Sequence, residues 1–183
     1  MSDHESVPRW AELARAKWTN RGAQRPPFAE EPGPGQESVW DYPRPPVLVA
    51  DDRRVRVVLG DQVVAETRRA LKVLETSHPP TFYLPPDDVD ASLLRQGQGA
   101  SRCEWKGTAT YWDVGDITGA VWSYEAPFPE FAALKSHLAF YPSRFACFVD
   151  EHRVVPQPGG FYAGWITPDL AGPFKGNPGS GGW

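Results

Sequence analysis

The chain has 183 residues, 20 prolines, 17 glycines, 13% aromatic residues and a formal charge of −4. That length suits one domain with long extensions or two small ones, and the middle of the chain is apolar enough for a real core. The charge argues against a general nucleic-acid binder, which needs a basic patch, and no apolar run approaches the length of a membrane span.

The opening MSDHESVPRW lacks the basic-then-apolar layout of a signal peptide. Pro8 to Trp18 is the first helix candidate. Ser6 can cap it, Pro8 suits the first turn, and Trp10, Leu13, Ala14 and Trp18 recur at helical spacing. Arg9, Arg15, Lys17 and Arg21 form a basic side, as on a docking or membrane-surface helix. A short helix laying two tryptophans back on the main domain explains the same pattern more simply. From Arg25 to Val47 the prolines fix φ and remove donors, so this stretch should be extended, with Phe28, Trp40 and Tyr42 as anchors. Pro43-Arg44-Pro45-Pro46 matches a PxxP ligand pattern, but any chain this rich in proline contains one. A strap across the protein's own surface is the expectation for the N-terminal arm, residues 1–50.

The compact domain is expected over residues 51–156. RVRVVLGDQVVAET alternates and turns at Gly60-Asp61, a β-hairpin signal. Arg68 to Glu75 is ambiguous between a helical turn and a strand. Thr81 to Leu84 reads as a strand closed by prolines on both sides, and Asp87 to Arg95 as a short helix capped by Asp87 or Asp88. The central stretch, Ser101 to Tyr124, reads as two strands joined at Gly115-Asp116. A period of two places Cys103, Trp105, Gly107, Ala109 and Tyr111 on one face, opposite Lys106, Thr108, Thr110 and Trp112. Phe128 to Tyr141 begins helical, with Phe131, Leu134 and Leu138 in one stripe. A last hairpin pairs Phe145–Val149 with Arg153–Val155. Six or seven short strands with one or two short helices make a mainly β fold. The C-terminal arm, residues 157–183, has frequent turns, yet Phe161, Tyr162, Trp165, Ile166, Leu170 and Phe174 are too apolar to leave in water. It should wrap this domain or a second subunit, which keeps a homodimer open. Its glycines do not form a GxxxxGK[ST] phosphate loop.

Taken in order, RVRVVLGDQVVAET, VLETSHPPTFYLPPDDV, CEWKGTATYWDV and VWSY before AFYPSR resemble the bacterial domain of unknown function 427 family. The flanking WDYPRPP and FYAGWITPDLAGPFKGNPG are similar to the flanks of its actinobacterial members. The resemblance implies a compact β-tent (Mss4-like) architecture, as in methionine sulfoxide reductase B and cereblon-like domains. Those relatives hold zinc with two CxxC pairs; with only Cys103 and Cys147 here, no zinc of that type is expected, nor any other metal or cofactor. Two cysteines also make no secreted disulfide framework, which fits a cytoplasmic protein. Where the family commonly has C-P-Y-K-G, this chain has Glu104 and Trp105 between Cys103 and Lys106. Cys103, Lys106 and Gly107 are therefore the better candidates for shared chemistry. The family's nucleotidyltransferase-like label implies paired acids on a strand beside a Gly-Ser turn. This chain has Asp88-Val89-Asp90 after two prolines, and its one Gly-Ser is Gly179-Ser180.

Cys103 could act as a nucleophile activated by Lys106 or His78, although a free cysteine more often packs as a small hydrophobe. Lys106 could bind an anion or stack on Trp122, or be a solvated lysine. Glu75 and His78 could form an acid–base pair, or be a loop-ending glutamate and a surface histidine. Trp112, Trp122, Tyr124 and Tyr83, with Tyr111, could line a ligand cage or belong to a tryptophan-rich core. Two functions follow from these residues. One is a small-molecule-binding domain whose catalytic role is open. The other is an interaction or assembly module that works through its arms.

Overall fold

The computed structural model describes residues 7–183. The first element, helix α1, spans only Arg9–Arg15, with Pro8 at its N-cap position and no side-chain cap; Ser6 lies outside the described residues. Seven residues are too few to bury an apolar stripe. Trp10 and Leu13 stay exposed at 37% and 59%, and Ala11 is the buried residue. Polar side chains do the docking instead. Arg15 Nε donates to the Glu104 carbonyl at 2.6 Å, and Trp18 Nε1 donates to Glu104 Oε1 at 2.9 Å.

Strands follow in chain order: β1 Glu37–Ser38, β2 Val47–Asp51, β3 Val55–Leu59, β4 Gln62–Thr67, β5 Ala70–Leu74, β6 Thr81–Tyr83, β7 Leu94–Cys103, β8 Gly107–Val114 and β9 Ile117–Ser123. After these come β10 Ala139–Phe140, β11 Ala146–Val149, β12 His152–Arg153, β13 Val155–Pro156, β14 Trp165–Ile166 and β15 Leu170–Ala171. They form two four-stranded sheets, β10-β9-β8-β7 and β12-β11-β3-β4, one three-stranded sheet, β2-β5-β6, and two small pairs. The protein is mainly β, built from several small sheets. No helix among the described residues is long and apolar enough to cross a membrane.

Four sequence expectations need correction or completion. Residues 68–75, ambiguous in the sequence, supply β5, because its residues pair with both β2 and β6. Asp87 to Arg95 is not a helix. Pro85 and Pro86 leave room only for single 3-10 turns at Pro86–Asp88 and Ala91–Leu93, the second capped by Asp90, and Leu94 enters β7. The central stretch is consequently three strands rather than two. Cys103 pairs with Gly107 across a tight turn, so the alternation assumed through residues 103–107 breaks there. Finally, the proline-rich arm, expected only to be extended, carries the short strand β1, which pairs in parallel with β15 of the C-terminal arm.

Val55, Val57, Phe82, Val121, Phe140 and Trp165 form the main core. A second cluster gathers Val73, Tyr83, Trp105, Trp122, Tyr124 and Leu134. The arms build a third one together. Phe28, Trp40 and Trp183 pack ring on ring at 5.1 to 5.3 Å, and Trp40 Nε1 donates to the Pro173 carbonyl at 3.1 Å. Each arm alone has too few apolar residues for a core, so Trp40, Leu170 and Trp183 pack against one another and the domain, with Phe28 half exposed at the rim.

Candidate functional site

The second cluster borders a cavity of about 310 Å³. Its first wall comes from the end of β5. The chain turns sharply at Thr76–His78, where Ser77 takes a left-handed φ of 71° and its N–H donates to the Val39 carbonyl at 3.0 Å. That turn brings Glu75 and His78 to one side. The hairpin between β7 and β8 forms the second wall. Because Cys103 and Gly107 are paired, Lys106 returns toward Cys103 instead of pointing to the opposite face, and its ammonium makes a polar contact with the thiol. Gly107, at a φ of 101°, makes the turn possible, and the Phe128 N–H donates to the Lys106 carbonyl at 3.1 Å.

Strand register decides which aromatics join. Tyr111 pairs with Trp122, while Trp112 pairs with Val121. Tyr111, Trp122 and Tyr124 therefore share the cavity side, and Tyr83 reaches it from β6. Trp112 points the other way, packs on the main core and donates from Nε1 to Ser123 Oγ at 2.8 Å. Of the nine candidates, eight line the cavity: Glu75, His78, Tyr83, Cys103, Lys106, Tyr111, Trp122 and Tyr124. Trp112 does not.

Sequence reasoning missed the roof. Trp18 from the N-terminal arm and Gln157, Phe161, Tyr162 and Lys175 from the C-terminal arm close over the cavity. Trp18 is held between two cations, with Lys175 Nζ 3.9 Å and Arg44 Cζ 4.4 Å from its ring centroid. Gln157 Nε2 lies 3.0 Å from His78 Nδ1 and donates to the Lys175 carbonyl at 2.8 Å. The PxxP arginine, Arg44, has a fully buried side chain that bonds Glu75 Oε1 at 3.0 Å and the Thr76 carbonyl at 2.9 Å. A charged residue between prolines was a visible sign of a strap. Its contact 31 residues away was not.

Burial alone would depress Lys106, but Cys103, Tyr83 and Glu75 outweigh it and hold the ammonium above the ordinary lysine value. Burial would likewise raise the Glu75 carboxyl; His78, Lys106 and Arg44 bring it below the carboxylate range instead. His78 is pushed down to about 4 by burial and by Lys175, Arg44 and Lys106, against the pull of Glu75. Its imidazole is neutral at pH 7, so Arg44, at 3.0 Å, is the charge paired with Glu75 there, and Lys106 acts on it from beyond ion-pair distance. Burial also raises Tyr83 and Tyr124 and brings Tyr141 to about 12, which keeps all three phenols protonated. The interior thus offers an ammonium, several hydroxyl donors, a neutral imidazole and flat apolar walls. Among the described residues no three His, Cys, Asp or Glu side chains gather as a metal site.

Residues 47–152 match the family model described as Domain of unknown function (DUF427). The chain belongs to this family. Compared with curated proteins, it finds no match. The DUF427 segment carries the eight sequence candidates that line the cavity, while Trp18, Gln157, Phe161, Tyr162 and Lys175 all lie outside it. In this DUF427 protein the family segment builds the cavity floor, and the flanking arms build its roof.

Proposed function

We propose that this protein is a small-molecule-binding domain and that the cavity is its binding site. The observation that carries the reading is convergence. Eight side chains from separate strands and turns meet around one cleft-like cavity, with polar groups set among aromatic rings. Ligand sites likewise set convergent polar groups among aromatic walls, and this cavity's lining is about as polar as it is apolar. The arms support the same reading, since Trp40 and Trp165 are buried and Trp18, Phe161 and Tyr162 line the cavity, while Trp10 and Phe28 stay exposed. An interaction module would present its arms to a partner instead. Glu75, Lys106 and Cys103 in one cavity leave a catalytic role chemically reasonable, with Cys103 facing the bound molecule.

A thermal-shift screen of the full chain against nucleotides, sugars, amino-acid derivatives and heterocycles tests the proposal. A ligand at about 100 times its Kd should stabilise the fold by about 2.7 kcal/mol. The shift should vanish in Trp122→Ala. A screen in which no compound class moves the melting temperature would overturn the reading.

A further inference from the structure

The charges around the cavity do not balance. Arg102, Lys106 and Lys175 line it, against the carboxylates Glu75 and Glu104. Glu75 is already matched by Arg44 behind the wall at 3.0 Å, and Glu104 accepts from Trp18 Nε1. Lys175 Nζ donates to the Trp183 carbonyl at 2.9 Å and stacks on Trp18. Arg102 is exposed and lies 5.9 Å from the Trp10 ring. Lys106 differs from these. Among the described residues no carboxylate is within ion-pair distance of its ammonium, whose polar contact is the Cys103 thiol.

The hydroxyls already have partners inside the cavity: Tyr83 contacts Tyr124, Tyr124 contacts Cys103, and Tyr141 contacts Tyr111. All three phenols are protonated at neutral pH, so each can turn its hydrogen to an incoming acceptor. Gln157 Oε1 receives the Gly164 N–H at 3.0 Å, and Tyr111 is paired with Ser101 at 2.8 Å. A row of rings leads away from the ammonium. Lys106 Nζ lies 6.0 Å from the Tyr124 centroid, Tyr124 is 6.3 Å from Tyr83, and Tyr83 is 6.2 Å from Trp122. Trp122 then meets Tyr141 at 4.8 Å. An acceptor-rich, negatively charged group answers the first end of that row, and a flat body answers the second.

We infer that the cavity takes a small planar carboxylate, a single-ring or conjugated acid, with its charged end at Lys106 and its flat body against Tyr83 and Trp122. This rests on the cavity being a ligand site. One ammonium without an ion pair matches one negative charge; Arg44 lies behind the wall on Glu75, and Arg102, the guanidinium on the cavity itself, is exposed and set toward Trp10. A volume of about 310 Å³ is also at the low end for ligand pockets, which suits a single ring better than a nucleotide.

Isothermal titration of the full chain at pH 7 with benzoate, cinnamate, benzamide, benzylamine and phenyl phosphate tests this. Benzoate or cinnamate should bind about tenfold or more tightly than the matched amide. Lys106→Met should erase that preference, and Lys106→Arg should keep most of it. The acid-to-amide ratio of the unaltered protein decides the question even if Lys106→Met does not fold. Equal binding of acid and amide, or tighter binding of benzylamine, would overturn the carboxylate. If Trp122→Ala then removed that binding, the cavity would still stand as a ligand site. Phenyl phosphate binding about tenfold tighter than the acids would replace carboxylate by phosphate. If none of the five bound at millimolar concentration, both the ligand class and the binding-site reading would fall.

Discussion

Arg44 and Glu75 face each other at 3.0 Å, the arginine side chain fully buried and the glutamate 15% exposed. The pair joins the proline-rich arm to the cavity wall. Arg44 also donates to the Asn20 carbonyl at 3.1 Å, so three chain segments meet at one guanidinium. Replacing it by methionine leaves a carboxylate buried without its partner, which costs about 3–5 kcal/mol. Urea unfolding should show this loss for Arg44→Met, with much of it recovered in the Arg44→Met/Glu75→Gln double variant. A loss under about 1 kcal/mol would mean that the arm is held by its aromatics alone.

The two thiols should react very differently. Cys103 opens on the cavity, whereas Cys147 is fully buried in the main core and burial pushes its thiol up. Iodoacetamide followed by peptide mass spectrometry should label Cys103 in the native protein about tenfold or more faster than Cys147. Cys147 should become reactive only on unfolding. Equal native rates would contradict the packing described here.

Stability should fall with acid in a window set by His78. Its folded-state value of about 4 lies below the ordinary 6.5, so between these the unfolded chain binds the proton and the folded chain does not. The contribution is fully present above pH 6.5 and is lost as pH falls to 4, up to about 3 kcal/mol. His78→Gln should flatten the unfolding free energy across that window. The lowered carboxylates of Glu75 and Asp51 act with the same sign at lower pH and remain in the variant. Identical pH slopes for the two proteins would exclude a buried neutral His78.

Ser77 combines a left-handed φ of 71° with a fully buried hydroxyl that has no hydrogen-bond partner. Glycine tolerates that φ and removes the hydroxyl, so Ser77→Gly should stabilise the fold by about 1 kcal/mol. For a chain of this length the melting temperature should rise by about 2–4 °C. A fall would indicate that the hydroxyl makes a contact the fold needs.

The mainly β character, the β3–β4 hairpin, the absence of a CxxC zinc site and the list of chemically useful side chains follow from the sequence itself. Alternation with a period of two, proline positions and residue types are local properties, and they are readable locally. Tertiary structure decided what those side chains do. Whether Lys106 faces Cys103 depended on where the chain turned, since pairing of Cys103 with Gly107 replaces a straight strand by a hairpin end. Whether Trp112 or Trp122 joined the cavity depended on the register of β8 against β9, which a slip of one residue would invert. The roof was the least legible part. Trp18, Arg44, Gln157 and Lys175 carry no common motif, and they meet because Trp40, Leu170 and Trp183 of the two arms pack on one another and on the domain. That burial is a sum over contacts distant in sequence, so it is settled only when the whole chain is folded.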